Sequence, residues 1–323
     1  MMMKNKWKEM LFVMTFALGV PSLVFSQIKP ATVMPSGISE AVAETTALER
    51  DKQKIPVLMA DGTVQEQELE AYITGVVLRE MPAEFEPEAL KAQAVVARTY
   101  ALRRNTVGEK HEMGAVCTDP SCCQGFCSEK EYILNGGTEE LLEKVRQAVE
   151  DTAGLVLTYE GELAEATYFS CSGGMTEDAA AVWGSDVPYL QSTSSPGEEM
   201  ARHYTDTVTF TAKEFSQRLG EGLAGLPGGW VGEITYTKGG GVDTIVLGGR
   251  KFTGTELRRL LDLRSTAFVI TVIGDAVTVT TKGFGHRVGM SQYGADAMAV
   301  EGSEYSQILS HYYRVTEVAP YGR

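Results

Sequence analysis

One glutamate, Glu80, stands where a carboxylic acid could act as a general acid. Leu69, Ile73, Val76 and Glu80 follow one another at steps of four and three residues, which places them on one stripe of a predicted helix. Pro82 disfavours helical geometry just before it, so Glu80 lies at or beside the C-terminal end of this helix. Partial burial and the negative end of the helix dipole would both raise the pKa of Glu80. A protonated carboxylic acid near neutral pH is what glycosidic-bond cleavage requires of a general acid. The alternative is a structural glutamate paired with a nearby arginine.

A second group of reactive side chains follows further along the chain. One histidine and four cysteines fall within 17 residues of loop, namely His111, Cys117, Cys122, Cys123 and Cys127. Such side chains can hold Zn²⁺ in tetrahedral geometry, although their spacing matches no common zinc finger. The alternative is a local disulfide, for example Cys122–Cys127, with His111 merely exposed. A zinc site and a disulfide could also coexist.

Two glycine-containing segments offer further candidates. Residues 170–176 form a loop rich in hydroxyl groups, whose glycines allow a ligand to approach closely. Residues 283–295 place His286 and Gln292 near the N-terminus of a predicted helix, a natural site for an anion or a hydroxyl group. An ordinary glycine-rich turn with a packed His286 explains the second segment equally well. A Cys/His peptidase using Cys171 and His286 ranks below these alternatives, because Cys171 is not at a helix start and no orienting partner is evident.

The elements that must position these groups predict an α+β fold of helices and antiparallel hairpins. A second helix begins at Pro87 and runs to about Arg104. Its Lys91 and Arg98 lie on nearly the same line of a mostly apolar surface, so they need anionic partners, either Glu80 or an anionic ligand. Hairpins are predicted at 155–169 and 268–280. Between these hairpins, at about 203–265, the predicted elements become short strands and short helices. This change suggests an inserted subdomain within a two-lobed body.

Composition and the N-terminus limit the cellular setting. The 323 residues carry a formal charge of -14, which argues against a nucleic-acid or anionic-membrane surface. Three lysines precede an apolar run at residues 10–25, and this pattern favours an uncleaved membrane anchor at 1–26 over a cleaved signal peptide. Residues 27–53 have the composition of a flexible tether. We therefore expect the body, residues 54–323, to lie outside the cytoplasm.

Four segments resemble the stage II sporulation protein D family, the membrane-anchored lytic transglycosylases of endospore-forming bacteria. They are YITGVVLREMP (72–82), EALKAQAVVARTY (88–100), SGGMT (172–176) and GFGHRVGMSQYGA (283–295), in the family's order. The first two are highly specific as a pair. An arginine at position 287, where members often have a small residue, is a departure from the family pattern.

The resemblance implies cleavage of peptidoglycan glycan strands, preferably strands already stripped of stem peptides. Glu80 matches the catalytic glutamate. The implied substrate-binding residues are Lys91, Gln93, Arg98, Ser170, Ser172, Gly173, His286, Gln292 and Tyr293. Lys91 and Arg98 would then face the carboxylates of the muramic acid residues.

The resemblance also has implications for metal, partners and location. Some members bind zinc through one histidine and two cysteines, which here points to His111, Cys117 and Cys123 as ligands of a structural Zn²⁺, with no organic cofactor. The implied partners are an amidase/endopeptidase resembling stage II sporulation protein P and other engulfment proteins, between the mother-cell and forespore membranes. Relatives in the wider family are amidase enhancers, so a binding module that does not cleave glycan is the alternative function.

Overall fold

A computed structural model describes residues 53–108, 110–202 and 204–322. The predicted membrane segment at 1–26 lies outside these residues, as does the predicted tether except for its last residue, Gln53. Within the described ranges, no helix combines the length and the apolar character needed to cross a membrane.

The first half of the described chain contains the long helices. Its elements are β1 (Lys54–Leu58), β2 (Val64–Glu68), α1 (Leu69–Glu80), α2 (Pro87–Val107), β3 (Val116–Cys117), α3 (Glu129–Leu134), α4 (Glu139–Asp151), β4 (Leu155–Tyr159), β5 (Glu162–Leu163), β6 (Tyr168–Phe169) and α5 (Ala179–Trp183). The second half is richer in strands. Its elements are β7 (Thr205–Thr211), α6 (Ala212–Arg218), β8 (Val231–Tyr236), β9 (Val242–Leu247), β10 (Arg250–Thr253), α7 (Gly254–Leu260), β11 (Phe268–Ile273), β12 (Ala276–Lys282), β13 (Met290–Ser291), α8 (Gln292–Val300), α9 (Tyr305–Tyr312) and β14 (Glu317–Pro320). The predicted α+β class is confirmed.

The strands form small sheets, most of them antiparallel. The strand orders are β2-β1-β3, β10-β9-β8, β11-β12-β7 and β14-β4-β5, and a fifth sheet pairs β13 with β6. The β13–β6 pairing is parallel and sets Met290 opposite Tyr168 and Ser291 opposite Phe169. It joins the loop after β6 to the start of α8, two segments that are more than 100 residues apart in the chain.

Helices α1 and α2 form as the sequence predicts. Pro82 follows α1, whose C-cap residue Met81 has the extended backbone expected before a proline. Pro87 occupies the first turn of α2, where its missing N–H costs no hydrogen bond. Helix α2 is apolar around most of its circumference and can therefore be packed on several sides. Its neighbours are α1, α4, α8, α9 and β4. It is the central helix of the larger hydrophobic cluster.

A second hydrophobic cluster lies in the second half of the chain. It is built around Phe215, Ile245, Leu257 and Val279. The cluster uses the predicted inserted segment at 203–265, and it also uses β11 and β12, which lie beyond the predicted boundary. The 268–280 hairpin is confirmed, since Phe268–Ile273 pairs antiparallel with Ala276–Lys282. The predicted 155–169 hairpin is only partly right, because β5 is two residues long and β6 pairs with β13 instead.

Candidate active site

A cavity of about 1040 Å³ opens beside the C-terminal end of α1. Predicted and unpredicted residues meet in its wall, including Glu80, Tyr168, Ser170, Trp183, His286 and Gln292. The segment after α2, strand β6 and the loop before β13 each supply part of this wall. Helix α7 adds Arg258.

Glu80 occupies the end of α1, as the apolar stripe predicts, and is partly buried. The backbone N–H of Gly125 donates a hydrogen bond to its Oε1 atom. Burial raises the pKa of Glu80 above its usual value, while the Gly125 hydrogen bond and the charge of Arg79 oppose that rise. A Cβ atom at position 125 would lie 2.9 Å from Glu80 Oε1 and 2.6 Å from Arg79 Cγ. Only glycine lets the backbone come this close to the carboxyl group.

A hydrogen-bonded group of side chains packs behind Glu80. The Tyr168 hydroxyl donates to Gln124 Oε1 at 3.1 Å, and Gln124 Nε2 donates to the Tyr72 hydroxyl at 3.4 Å. The pKa of Tyr168 is raised by burial and then by the charge of Glu80, so its hydroxyl keeps its proton. Sequence reasoning missed Tyr168 and Gln124, because their meeting depends on the β6–β13 pairing and not on any local pattern.

The cavity wall contains a second carboxylate, Glu165, which is neutralised by two arginines. Arg103 Nε lies 2.8 Å from Glu165 Oε2, and Arg104 pairs with Glu165 Oε1. Both arginines also line the cavity. Glu165 is therefore held as an ion-paired group, whereas Glu80 has no cation bonded to its carboxyl group among the described residues.

His286 is a neutral, packed member of the cavity wall. Its ring contacts those of Phe169 and Trp183, at centroid distances of 5.6 and 5.2 Å. Its Nδ1 accepts a hydrogen bond from the Val288 N–H at 3.1 Å. Burial, and then the charge of Arg258, lower the pKa of His286 to about 4. Trp183, which is 46% exposed, adds a flat face on which a sugar ring could stack.

The expected contacts of Lys91 and Arg98 with a ligand find no support in the structure. Arg98 is fully buried and forms an ion pair with Glu70, so a ligand cannot reach it. Lys91 lies 2.9 Å from both Glu88 and Asp151. Neither cation lines the cavity, and Glu80 pairs with neither. The anionic partners that the sequence demanded are supplied by the protein.

Gln93 and Tyr293 also lie behind the cavity wall rather than in it. Gln93 is fully buried, and its Oε1 accepts a hydrogen bond from Gln292 Nε2 at 3.4 Å. Tyr293 packs edge-on against Phe85 at a centroid distance of 5.0 Å. Of the residues implied for substrate binding, Ser170, His286 and Gln292 line the cavity.

The loop at 170–176 is organised around Glu198, a buried carboxylate that the sequence did not mark. Its Oε2 accepts hydrogen bonds from Ser172 N at 2.9 Å, Ser172 Oγ at 2.7 Å and Gly173 N at 2.9 Å. Ser172 and Gly173 therefore shape the loop and do not line the cavity. Cys171 is fully buried, its Sγ lies 3.4 Å from Glu198, and burial raises its pKa to about 12. This geometry rules out the peptidase nucleophile considered from the sequence.

The contacts of Arg287 account for an arginine at this position. Its guanidinium group lies 3.2 Å from Glu177 Oε1 and donates to the carbonyl groups of Ser172 at 2.7 Å and Gly239 at 2.6 Å. The side chain is buried. Arg287 thus ties the Ser172 loop to the β8–β9 turn.

The group after α2 fits a metal ion. The ligand atoms of His111, Cys117, Cys122 and Cys123 all lie within 4.8 Å of one another. His111 Nε2 is 3.4 Å from Cys122 Sγ and 3.6 Å from Cys123 Sγ. A tetrahedral Zn²⁺ with its usual bond lengths would separate a nitrogen and a sulfur ligand by about 3.5 Å. The donor set and spacing therefore suit zinc.

Two predictions about the cysteines change with this geometry. The Sγ atom of Cys122 lies with the donor atoms of the three expected ligands, whereas Cys127 stays outside and directs its Sγ to the Ser128 carbonyl at 3.6 Å. All five cysteines, each within the described residues, are free, so the Cys122–Cys127 disulfide is not formed. Cys122 and Cys123 also line the cavity, which makes this loop one of its walls.

Comparison with known proteins assigns the chain to a family. The family model for stage II sporulation protein matches residues 60–159. The chain is 44% identical over 283 residues to stage II sporulation protein D of Bacillus subtilis (strain 168), covering 86% of this chain and 81% of that protein. It is 40% identical over 288 residues to stage II sporulation protein D of Bacillus amyloliquefaciens, covering 87% and 83%. It is also 30% identical over 302 residues to the amidase enhancer of Bacillus subtilis (strain 168), covering 77% of this chain and 40% of that protein. The chain therefore belongs to the stage II sporulation protein D family.

Proposed function

We propose that this protein is a lytic transglycosylase that cleaves the bond between N-acetylmuramic acid and N-acetylglucosamine in peptidoglycan strands. The observation that carries the proposal is the contrast between the two carboxylates of the cavity wall. Glu80 has a raised pKa and no bonded cation among the described residues, whereas Glu165 is held by Arg103 and Arg104. One carboxylic acid is thus poised to donate a proton, and the other is already engaged.

A single acid/base is enough for this reaction. Glu80 protonates the glycosidic oxygen, the bond from that oxygen to C1 of the muramic residue breaks, and the N-acetylglucosamine end leaves with the proton. Glu80, now ionised, then removes the proton from the C6 hydroxyl group of the same muramic residue. The C6 oxygen bonds to C1 and closes a 1,6-anhydro ring without water. A hydrolase would instead require a second free carboxylate, about 5–9.5 Å from the first.

The residues around Glu80 support the two proton transfers. Burial favours the protonated acid before the reaction, and the Gly125 N–H stabilises the carboxylate after it. The Tyr168–Gln124–Tyr72 hydrogen bonds fix the rear wall of the cavity. The flat face of Trp183 offers a surface for a sugar ring.

The loop from His111 to Cys123 would hold a structural Zn²⁺ through its histidine and three thiolate groups. A closed site with four protein ligands leaves no position for a reacting group, so the metal would stabilise the loop. Cys122 and Cys123 belong to the cavity wall, and the metal would therefore fix that wall beside Glu80.

Product analysis tests the proposal. The body, residues 54–323, is incubated with purified glycan strands that carry no stem peptides, and the fragments are identified by mass spectrometry. We expect 1,6-anhydro-muramic ends, which are one water molecule lighter than hydrolysed ends. Glu80→Gln should release no fragments while it still binds the strands. Hydrolysed ends, or unchanged activity in Glu80→Gln, would refute the assignment.

A glycan-binding amidase enhancer is the second candidate function, and the similarity to the Bacillus subtilis amidase enhancer favours it. Such a protein would bind strands in the same cavity and release nothing from them. The product assay separates the two candidates. If no fragments form, stimulation of an added peptidoglycan amidase by both the wild type and Glu80→Gln would support the enhancer.

Membership of the family supports a proposed cellular setting. We place the body outside the cytoplasm, attached through residues 1–26, and acting on septal peptidoglycan during engulfment in endospore formation. An amidase/endopeptidase resembling stage II sporulation protein P would act first, because it supplies the peptide-free strands that the proposed reaction consumes.

A further inference from the structure

The cavity wall is positively charged although the chain as a whole carries a net charge of -14. Four cations line it, namely Arg103, Arg104, Lys110 and Arg258, against the carboxyl groups of Glu80 and Glu165. Arg103 and Arg104 both form ion pairs with Glu165. Lys110 is exposed at the margin and donates to the Cys122 carbonyl. A local excess of positive charge in an acidic protein indicates an anionic ligand.

Arg258 is a partly buried cation of this wall that no carboxylate of the described residues neutralises. Its Nε donates a long hydrogen bond to the Leu263 carbonyl, at 3.4 Å. Within the described part of the chain, no carboxylate lies within ion-pair distance of its guanidinium group, and its two terminal nitrogens have no hydrogen-bond partner. The side chain is partly buried. A partly desolvated arginine with two unbonded terminal nitrogens is suited to a carboxylate, which it can bind through two parallel hydrogen bonds.

The position of Arg258 is fixed by the second hydrophobic cluster. Thr253 and Glu256 form a capping box at the start of α7, with Glu256 N to Thr253 Oγ1 at 3.1 Å and Thr253 N to Glu256 Oε2 at 2.8 Å. Leu257 is fully buried in the cluster. The neighbouring Arg258 consequently faces the cavity, while Arg259 is exposed and does not line it.

Arg258 also lies beside the aromatic part of the wall. Its charge acts on His286, whose ring packs against Trp183. Because His286 is neutral, it does not compete with Arg258 for an anion. Trp183 and Arg258 line the same cavity, so a sugar ring stacked on Trp183 would share that cavity with the guanidinium group.

We propose that Arg258 binds the free lactyl carboxylate of N-acetylmuramic acid and thereby selects strands without stem peptides. This inference rests on the proposed function. The lactyl group is attached at C3, two ring carbons from the C1 atom that Glu80 is proposed to serve. In a strand that carries stem peptides the same carboxyl group is an amide, without charge, and is followed by a bulky chain. Arg258, on the second hydrophobic cluster, then takes the role that the sequence assigned to Lys91 and Arg98.

Binding measurements in the Glu80→Gln protein test the inference without any reaction. The two ligands are peptide-free glycan fragments and the same fragments with their carboxyl groups converted to primary amides. We expect the Glu80→Gln protein to bind the carboxylate form about 10- to 100-fold more tightly, the range typical of hydrogen bonds to a charged group. Adding Arg258→Gln should remove this preference and leave the affinity for the amidated fragments unchanged.

Two controls keep the test decisive. Arg259→Gln, a matched loss of charge at the next position of α7, should keep the full preference. Arg258→Lys should keep part of it, because lysine retains the charge but not the two parallel donors. Retention of the preference in Arg258→Gln, or its absence in the parent, would overturn the inference. The proposed reaction fails separately, if the wild type forms no anhydro ends from peptide-free strands.

Discussion

Arg98 and Glu70 form an ion pair in the interior of the protein, with Arg98 Nε 2.9 Å from Glu70 Oε1. The Arg98 side chain is fully buried. Its remaining N–H groups donate to the carbonyl oxygens of Leu155 at 3.0 Å and Val149 at 3.3 Å. A single side chain on α2 thus holds α1, the end of α4 and the start of β4 together.

Removing Arg98 should destabilise the fold. Arg98→Ala leaves Glu70 without its cation and several buried carbonyl groups without a donor, so we expect the free energy of unfolding to fall by about 3–5 kcal/mol. Lys91→Ala removes only a partly exposed pair and should cost less than about 1 kcal/mol. Urea denaturation followed by circular dichroism measures both changes. A stable Arg98→Ala protein with weakened glycan binding would contradict the structural role.

The two helices around Glu80 could be predicted from the sequence because their signals are local. The apolar stripe ending at Glu80, the break at Pro82 and the start at Pro87 each depend on neighbouring residues. The partners of Arg98 could not be predicted in the same way. A helical pattern shows that a cation is on a buried face, but Glu70 lies 28 residues away on another helix. A buried arginine therefore gives the same pattern whether a ligand or a glutamate neutralises it.

The unpredicted part of the candidate site depends on contacts between distant segments. Tyr168 reaches the cavity because β6 pairs with β13, and Arg258 reaches it because α7 packs on a separate cluster. Glu198 gathers the Ser172 loop from 26 residues away. The resemblance implied a ligand set of one histidine and two cysteines, so it did not include Cys122. The short distance between Cys122 Sγ and His111 Nε2 is what adds Cys122 to the proposed set.

The metal site gives a prediction that concerns Cys122. The wild-type protein should contain about one zinc ion per chain, and Cys122→Ser should lose it or bind it much more weakly, because a thiolate ligand is removed. Cys127→Ser is the matched control, since its Sγ lies outside the group, and it should keep its zinc. Metal analysis of the purified proteins measures the content. Equal zinc in both variants would exclude Cys122 as a ligand.

Chelation should act on the same loop. Removal of a bound zinc ion would free its four proposed ligands, so we expect cleavage of the segment between α2 and α3 by a protease to become faster. The anhydro-forming activity should fall with it, because Cys122 and Cys123 form part of the cavity wall. Re-addition of zinc should restore both. Unchanged protease sensitivity after complete metal loss would contradict a structural role.

Gly125→Ala tests the contact that holds Glu80. The new Cβ would stand 2.9 Å from Glu80 Oε1, so the carboxyl group must move from the position in which it is proposed to protonate the glycosidic oxygen. We expect a loss of about 100-fold in anhydro-product formation, which is typical of a misplacement of about 1 Å. Gly228→Ala is the control, because no atom lies within 4 Å of its Cβ position. Full activity of Gly125→Ala would show that this contact does not position Glu80.

The raised pKa of Glu80 predicts how stability depends on pH. Between the ordinary value of 4.5 and its raised value, the folded protein keeps a proton on Glu80 that the unfolded chain has released. The contribution of Glu80 to stability is therefore complete below pH 4.5 and is lost as the pH rises through the raised pKa. Above that range, an ionised and partly buried carboxylate destabilises the fold.

Glu80→Gln removes this dependence, because glutamine is uncharged at every pH and can still accept the Gly125 hydrogen bond. We expect the variant to be more stable than the wild type at pH 7 and equally stable at pH 4, as measured by urea denaturation across the range. The pKa of His286 is about 4 in the folded protein, so His286 lowers the stability of the fold as the pH falls. It is present in both proteins, and its effect therefore cancels in the difference. A difference in stability that is constant from pH 4 to pH 7 would mean that the pKa of Glu80 is not raised by folding, and Glu80 would then lack the property on which its role as general acid depends.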